Sequence, residues 1–370
     1  MYDLVVKNGK DIYGNALELA VVDGKIAEIA SVVSEDAKEV LNANGAFISA
    51  GWIDSHVHCF EKMDLYYDYP DLIGVATGVT TVIDAGSTGE NNVKDFYELA
   101  KKAKTNVLAL MNISKNGIVT QDELADLNNI NEAKNIERIN ELTDFIIGLK
   151  VRMSKTVIGE NGIIPLDMAK DLQAKVELPL MVHIGSAPPE LEDILAKLDG
   201  GDVVTHCFNG KDNGILAKNG EIKDFAKKAY ERGILFDIGH GTDSFNFQVA
   251  QVAREENIKA QTISTDIYSR NRVNGPVYNL ATTLSKLLKV GYSLEELIAS
   301  VTTTPAQTFR LKGKGSLEVG KDADLTLFEI ADLAYDLKDS QGNIETSTQM
   351  IVPKRCVVAG NVYQINGEDK

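Results

Sequence analysis

Residues 47–58 read FISAGWIDSHVH. Phe47 opens the middle of the chain, and Ile53–Val57 is its first apolar, strand-like run, with Gly51 just before it. The run closes on two histidines separated by one residue. Side chains alternate between the faces of a strand, so His56 and His58 share one side while Val57 and Cys59 point away. The kind of sheet that this strand joins decides the fold.

Further apolar runs follow at Thr80–Asp84, Val107–Asn112, Phe145–Val151, Leu180–Ile184, Val203–Thr205, Ile234–Ile238 and Thr262–Thr265. Between them lie amphipathic stretches such as Asn131–Leu142, Leu166–Val176, Leu191–Leu198, Ile222–Glu231 and Phe247–Glu256. Continuously apolar strands alternating with helices, up to about Leu311, predict a closed parallel (β/α)8 TIM barrel. An open doubly wound sheet would also bury its strands on both faces. It would favour a GxGxxG loop after the first strand, and none is present there.

Both ends of the chain read as short β-structure. Tyr2–Val6, Glu18–Val22, Lys25–Ala30 and Val40–Ala43 are separated by the turns Asn8-Gly9 and Asp23-Gly24. Asp324–Leu327, Lys354–Ala359 and Asn361–Ile365 resume the pattern. Neither end has enough strands to bury a face alone, so the two are expected to pair into one small β-sandwich. The predicted organisation is α/β: a sandwich from residues 1–50 plus 312–370, and a barrel from 51–311.

Charge and cysteine content narrow the function classes. Lys plus Arg total 38 against 54 Asp plus Glu, a net charge of −16, which repels phosphate backbones and anionic lipid heads. No nucleic-acid or membrane partner is expected. No stretch is apolar enough for a bilayer, and MYDLVVKNGK lacks the layout of a secretory signal. Cys59, Cys207 and Cys356 are widely spaced and read as packing residues in a reducing, cytoplasmic protein.

Barrel enzymes place their chemistry at the C-terminal ends of strands. All five histidines meet that rule: His56 and His58 at strand 1, His183 at strand 5, His206 at strand 6, and His240 just past strand 7. One histidine alone reads as a satisfied core residue. A His-x-His pair with two more histidines converging on the same mouth reads as a metal site, and zinc-class metals favour imidazole and carboxylate donors. Lys150, on strand 4, either reaches out to an acid or to water, or uses a neutral amine to capture CO2 as a metal-bridging carbamate. Asp266, after strand 8, either caps the next helix or binds metal and accepts a proton.

The ordered set His56-x-His58, Lys150, His183, His206 and Asp266 resembles the amidohydrolase superfamily. The likeness extends to Ala46–Asp54 and, on the return into the sandwich, to Thr304-Pro-Ala306 and Gly315–Asp324. Gly148–Ser154 and His206–Gly210 resemble the branch that spans dihydroorotase-like, adenine-deaminase-like and deacetylase members. The resemblance implies two divalent metal ions, with zinc favoured, bridged by Lys150 as N6-carboxylysine. His56, His58 and Asp266 would hold the first metal, and His183 and His206 the second. It further implies attack by a hydroxide shared between the metals, with Asp266 as the catalytic proton carrier, and a homo-oligomer acting on a small molecule.

Substrate class follows from departures. Dihydroorotases of this superfamily usually place an Arg two positions after the second histidine, where this chain has Phe60. Mononuclear adenosine-type deaminases need no strand-4 lysine, and D-aminoacylase-type enzymes use a strand-2 cysteine absent from Val82–Ser87. The expectation is a deacylase of N-acyl (D-)amino acids or O-acyl hydroxy acids. The alternatives are a cyclic amide hydrolase, a purine deaminase, or an inactive scaffold. Arg152, Lys155, Arg270 and Arg272 are candidates for the substrate carboxylate, His240 for the oxyanion, and Ser87 for the lining of the mouth.

Overall fold

The computed structural model describes residues 1–34 and 36–365, so residues 366–370 of the expected sandwich segment lie outside the described residues. Five strands open the chain: β1 (Tyr2–Lys10), β2 (Ala16–Val22), β3 (Lys25–Ala30), β4 (Ala37–Asn42) and β5 (Phe47–Ala50). Seven more build the centre: β6 (Trp52–Val57), β7 (Val79–Ala85), β8 (Asn106–Asn112), β9 (Ile146–Met153), β10 (Leu180–Ile184), β11 (Val203–Thr205) and β12 (Leu235–Asp237). Three close it: β13 (Leu325–Lys338), β14 (Ile344–Val358) and β15 (Asn361–Gln364).

Strands β6 to β12 pair in chain order, each parallel to the next. Residues 262–267 close the barrel with two parallel bridges, Asp237 to Thr262 and Val57 to Ile267. The eighth segment is therefore present but is no regular strand. Its polar side chains take over part of the ladder. The buried Asp54 carboxylate accepts the Thr265 N–H (3.0 Å) and hydroxyl (2.6 Å), and Asp237 accepts the hydroxyls of Thr262 and Ser264, both at 2.7 Å.

Inside the barrel, Ile53, Ile83, Ala85, Leu110, Met181 and Val203 pack into one core floored by Ala306 and Phe309. Their strand neighbours Val82, Leu149, Val151, Val182 and Val204 face outward, under helices such as Ile164–Val176 and Leu280–Val290. That alternation follows from the period of two, with both faces of a parallel strand buried. None of the helices among the described residues is long and apolar enough to cross a membrane.

The chain ends form a second sheet, in the order β15-β14-β13-β5-β1-β2-β3, with β4 branching off β1. It encloses its own core of Leu4, Val6, Leu19, Val21, Ile26, Ile48, Leu325 and Val357. One residue separates the two sheets. Gly51 lies between β5 and β6, and a Cβ there would meet the Thr80 hydroxyl oxygen at 2.2 Å, so only glycine lets the chain cross so close to β7.

The C-terminal hairpin is much longer than its apolar pattern indicated. β13 and β14 run to 14 and 15 residues, and their outer halves, including the exposed Asp332–Asp336, carry no alternation of apolar and polar residues that would mark a strand. The tip of the hairpin reaches the barrel mouth. Ser340 donates from its hydroxyl to the carbonyls of His240 (3.3 Å) and Gly241 (3.2 Å), and Gln341 donates to the Gly210 carbonyl at 3.1 Å.

Candidate metal centre

His56 ends β6 and is fully buried, and His58 follows it by one strand period. Asp266 arrives from the closing segment in a left-handed turn (φ 50°), with its N–H on the His56 carbonyl at 2.7 Å. Asp and His are among the residues that tolerate that conformation. Asp266 Oδ1 lies 3.1 Å from His58 Nε2 and 3.5 Å from His56 Nε2. One donor atom from each of these three residues falls within 4.8 Å of the others.

The other two ring donors stand beside them. His183 lies on β10, and His206 follows β11 with φ 71°. Their ring centroids are 4.5 Å apart, edge to face, and that of His206 is 5.2 Å from His56. Lys150, on β9, points into the same centre, with Nζ 3.1 Å from His56 Nε2 and 3.3 Å from Met181 Sδ. Gly86 (φ 90°) makes room for it: a Cβ there would meet Lys150 Cγ at 2.7 Å.

The second partners of the rings set which nitrogen is free. Thr205 donates its one hydroxyl proton to Asp237 at 2.7 Å, so the 2.9 Å contact from His56 Nδ1 to the same oxygen must be donated by the ring. A carbonyl can only accept, so His206 Nδ1 donates to Gly239 O at 2.6 Å. Both rings are thereby left with an unprotonated Nε2, the lone pair that binds a metal. His58 Nδ1 is held by the Ser87 hydroxyl at 2.9 Å.

Burial disfavours protonation of His56, His183 and His206. Burial, joined by the charges of neighbouring cations and rings, pushes His56 and His183 well below the ordinary imidazole range. Burial takes His206 down to about 3. Burial also lowers the Lys150 amine to about 7, against the pull of Asp266 and Asp237. For Asp266 burial acts upward, but the His58 hydrogen bond and the charges of His58, His206 and Lys150 hold its carboxyl below the usual range.

A cavity of about 340 Å³ opens above these groups. Its walls include Lys150, Arg152, His183 and Asp266, with Tyr66, Gln121, Lys211, Thr242 and Tyr268 from the loops. Tyr66 and Tyr268 meet edge to face at 4.9 Å, and the Tyr268 hydroxyl bonds Thr242 at 2.9 Å. Sequence reasoning singled out none of these five loop residues. Tyr268 stands two residues past Asp266 and Lys211 five past His206, which are the nearest signals the sequence carries.

Several expected lining groups sit elsewhere or are engaged. Arg152 does line the cavity, but its guanidinium is paired with both oxygens of Glu123 at 3.3 Å and with Gln121 at 3.4 Å. His240 is wholly buried off the cavity, stacked on Phe245, with Nδ1 on the Gly241 carbonyl and Nε2 accepting from Lys286 at 2.8 Å. A role for its ring on the oxyanion has no path in this geometry. Ser87 is behind His58, and Arg272 forms a two-bond pair with Asp68. Lys155 and Arg270 are exposed and do not line the cavity. All three cysteines are free and buried.

Comparison with known proteins agrees with the geometry. The model of the amidohydrolase family matches residues 47–363. A deacetylase of Enterococcus faecalis is 57% identical over 365 residues, 98% of this chain and 99% of that one. Among solved structures, one described as an adenine deaminase superposes with a TM-score of 0.97 at 56% identity, covering 98% of this chain and all of that one. Another, described as a dihydroorotase, gives 0.91 at 33% identity over 99% and 98% of the two chains. With its barrel, its terminal sheet and this match over most of its length, the chain belongs to the amidohydrolase family of metal-dependent hydrolases.

Proposed function

We propose that the chain is a deacylase of small acylated carboxylates, either N-acyl (D-)amino acids or O-acyl hydroxy acids. The observation that carries the reading is the donor set itself. His56 and His206 are each fixed in the tautomer that presents Nε2, Asp266 Oδ1 lies 3.1 Å from His58 Nε2, and Lys150 is an amine lowered to about 7. Such a set fits two divalent ions of the zinc class, His56, His58 and Asp266 holding one and His183 and His206 the other. When bound, the ions supply Lewis acidity that activates water and polarises the acyl carbonyl.

The residues of the chain do the rest. An amine near neutrality adds its nitrogen to the carbon of CO2 and releases one proton, so Lys150 is suited to become an anionic carbamate, which would add carboxylate oxygens to the donor set. Asp266, ionised and facing the centre, accepts a proton from the attacking water and returns it to the leaving nitrogen or oxygen. Water adds to the acyl carbon, the C–N or C–O bond breaks, and a carboxylic acid leaves with the free amino or hydroxy acid.

Two further observations favour deacylation. The name of the Enterococcus faecalis relative is deacetylase. Phe60, which stands where a dihydroorotase would carry its arginine, is buried against Phe96 with ring centroids 5.5 Å apart and offers nothing to a carboxylate. The test is a screen of N-acetyl amino acids and O-acetyl hydroxy acids of both hands, with zinc and bicarbonate supplied. Acetate release, with about two metal ions per chain, is expected. Ammonia from adenine, or opening of dihydroorotate, without acetate release would replace this reading by that of the two solved relatives' descriptions.

A further inference from the structure

Three cationic side chains line the cavity: Lys150, Arg152 and Lys211. Lys150 is turned to His56, and Arg152 is committed to Glu123 and Gln121. Lys211 is different. Among the described residues no carboxylate lies within ion-pair distance of its ammonium, that of Asp243, which lines the same cavity, included, and its side chain has no hydrogen-bond partner.

Its backbone, in contrast, is rigidly placed. Asn209 is buried and bridges the loop, donating to the His206 carbonyl at 2.8 Å and accepting the Lys211 N–H at 2.9 Å. The Lys211 carbonyl accepts from Gly214 at 2.9 Å, and the preceding carbonyl, of Gly210, is held by Gln341 from the hairpin tip. A half-buried, unpartnered ammonium that lines the cavity is thus tied to the loop of His206.

We propose that Lys211 is the specificity-determining cation of the site and takes the carboxylate of the acylated acid. This rests on the deacylase reading and deepens it. A substrate held at its carboxylate by Lys211 keeps its acyl group in the cavity that His183 and Asp266 also line. Arg152 shapes the cavity as half of a buried ion pair and is not the anchor.

The experiment uses the metal-loaded enzyme, Lys211→Met and Lys211→Arg, with N-acetylalanine and O-acetyllactate of both hands and their neutral carboxamides. Lys211→Met is expected to lose about 10- to 100-fold in kcat/KM on the acid, mostly through KM, as fits one charge-assisted hydrogen bond. Lys211→Arg should recover a large part of that loss. Metal content should match the wild type, and the loss on the carboxamide should be several-fold smaller than the loss on the acid. Equal losses on acid and carboxamide, or no loss on the acid, would overturn the proposal. If the wild type cleaves none of the acids, the deacylase reading fails on its own. Calorimetric binding of the same acids then decides Lys211: at least tenfold weaker binding by Lys211→Met supports it, and equal or absent binding in the wild type overturns it.

Discussion

Thr205 shows how much of the centre depends on one hydroxyl. Its single proton goes to Asp237, which obliges His56 to donate from Nδ1 and frees Nε2. Thr205→Val keeps the shape and removes the relay. Metal affinity should fall about 10- to 100-fold, read by competition with a chelator, while the fold survives. Lys150→Ala acts more directly. On the proposed function it should leave well under two metals per chain by elemental analysis and cost at least about 1000-fold in activity, with partial rescue by short carboxylic acids that stand in for the proposed carbamate. Metal-type side chains at strand ends mark His56, His58, Lys150, His183, His206 and Asp266 as candidates in the sequence, and the structure brings them to one centre. Thr205 and Asp237 are not marked in this way, because a threonine or an aspartate at a strand end is ordinary until its partner is known.

The helix Leu280–Val290 carries a second buried lysine. Lys286 Nζ bonds His240 Nε2 at 2.8 Å and the Pro276 carbonyl at 2.7 Å, linking the helix to the loops after β12 and before the helix itself. Burial lowers its amine from 10.5 to about 7, partly opposed by the charge of Asp339. The unfolded chain therefore binds the extra proton between about pH 7 and 10.5, and the folded chain does not. Lys286 makes stability rise with pH across that window and adds no slope outside it. The stability of the wild type relative to Lys286→Met, from urea melts at successive pH values, should increase from pH 7 to 10.5 and level off below 7. His240, which sequence reasoning turned toward the substrate, is thus a partner of this helix. Position at a strand end could not tell the two apart, since the ring left the cavity through a backbone turn at Gly239 and Gly241, both at positive φ.

On the scale of the whole molecule, the two sheets are joined at Gly51 and again by the β13–β14 hairpin, whose tip holds the loops at Gly210 and His240–Gly241. The sheet from the chain ends thereby holds the loops that carry the cavity residues Lys211 and Thr242. The sequence by itself determined the alternation of buried strands and helices, the pairing of the two ends into one β domain, and the order of the metal-type side chains. Those are consequences of local period and residue chemistry, which are written along the chain. The tertiary structure alone decided that Arg152 is spent on Glu123, that Phe60 is packed away, that the eighth barrel segment is held by Asp54 and Asp237, and that Lys211 faces the cavity unpartnered. Each is a matter of which groups meet across tens or hundreds of residues, and burial and hydrogen bonding set that outcome only once the barrel has closed.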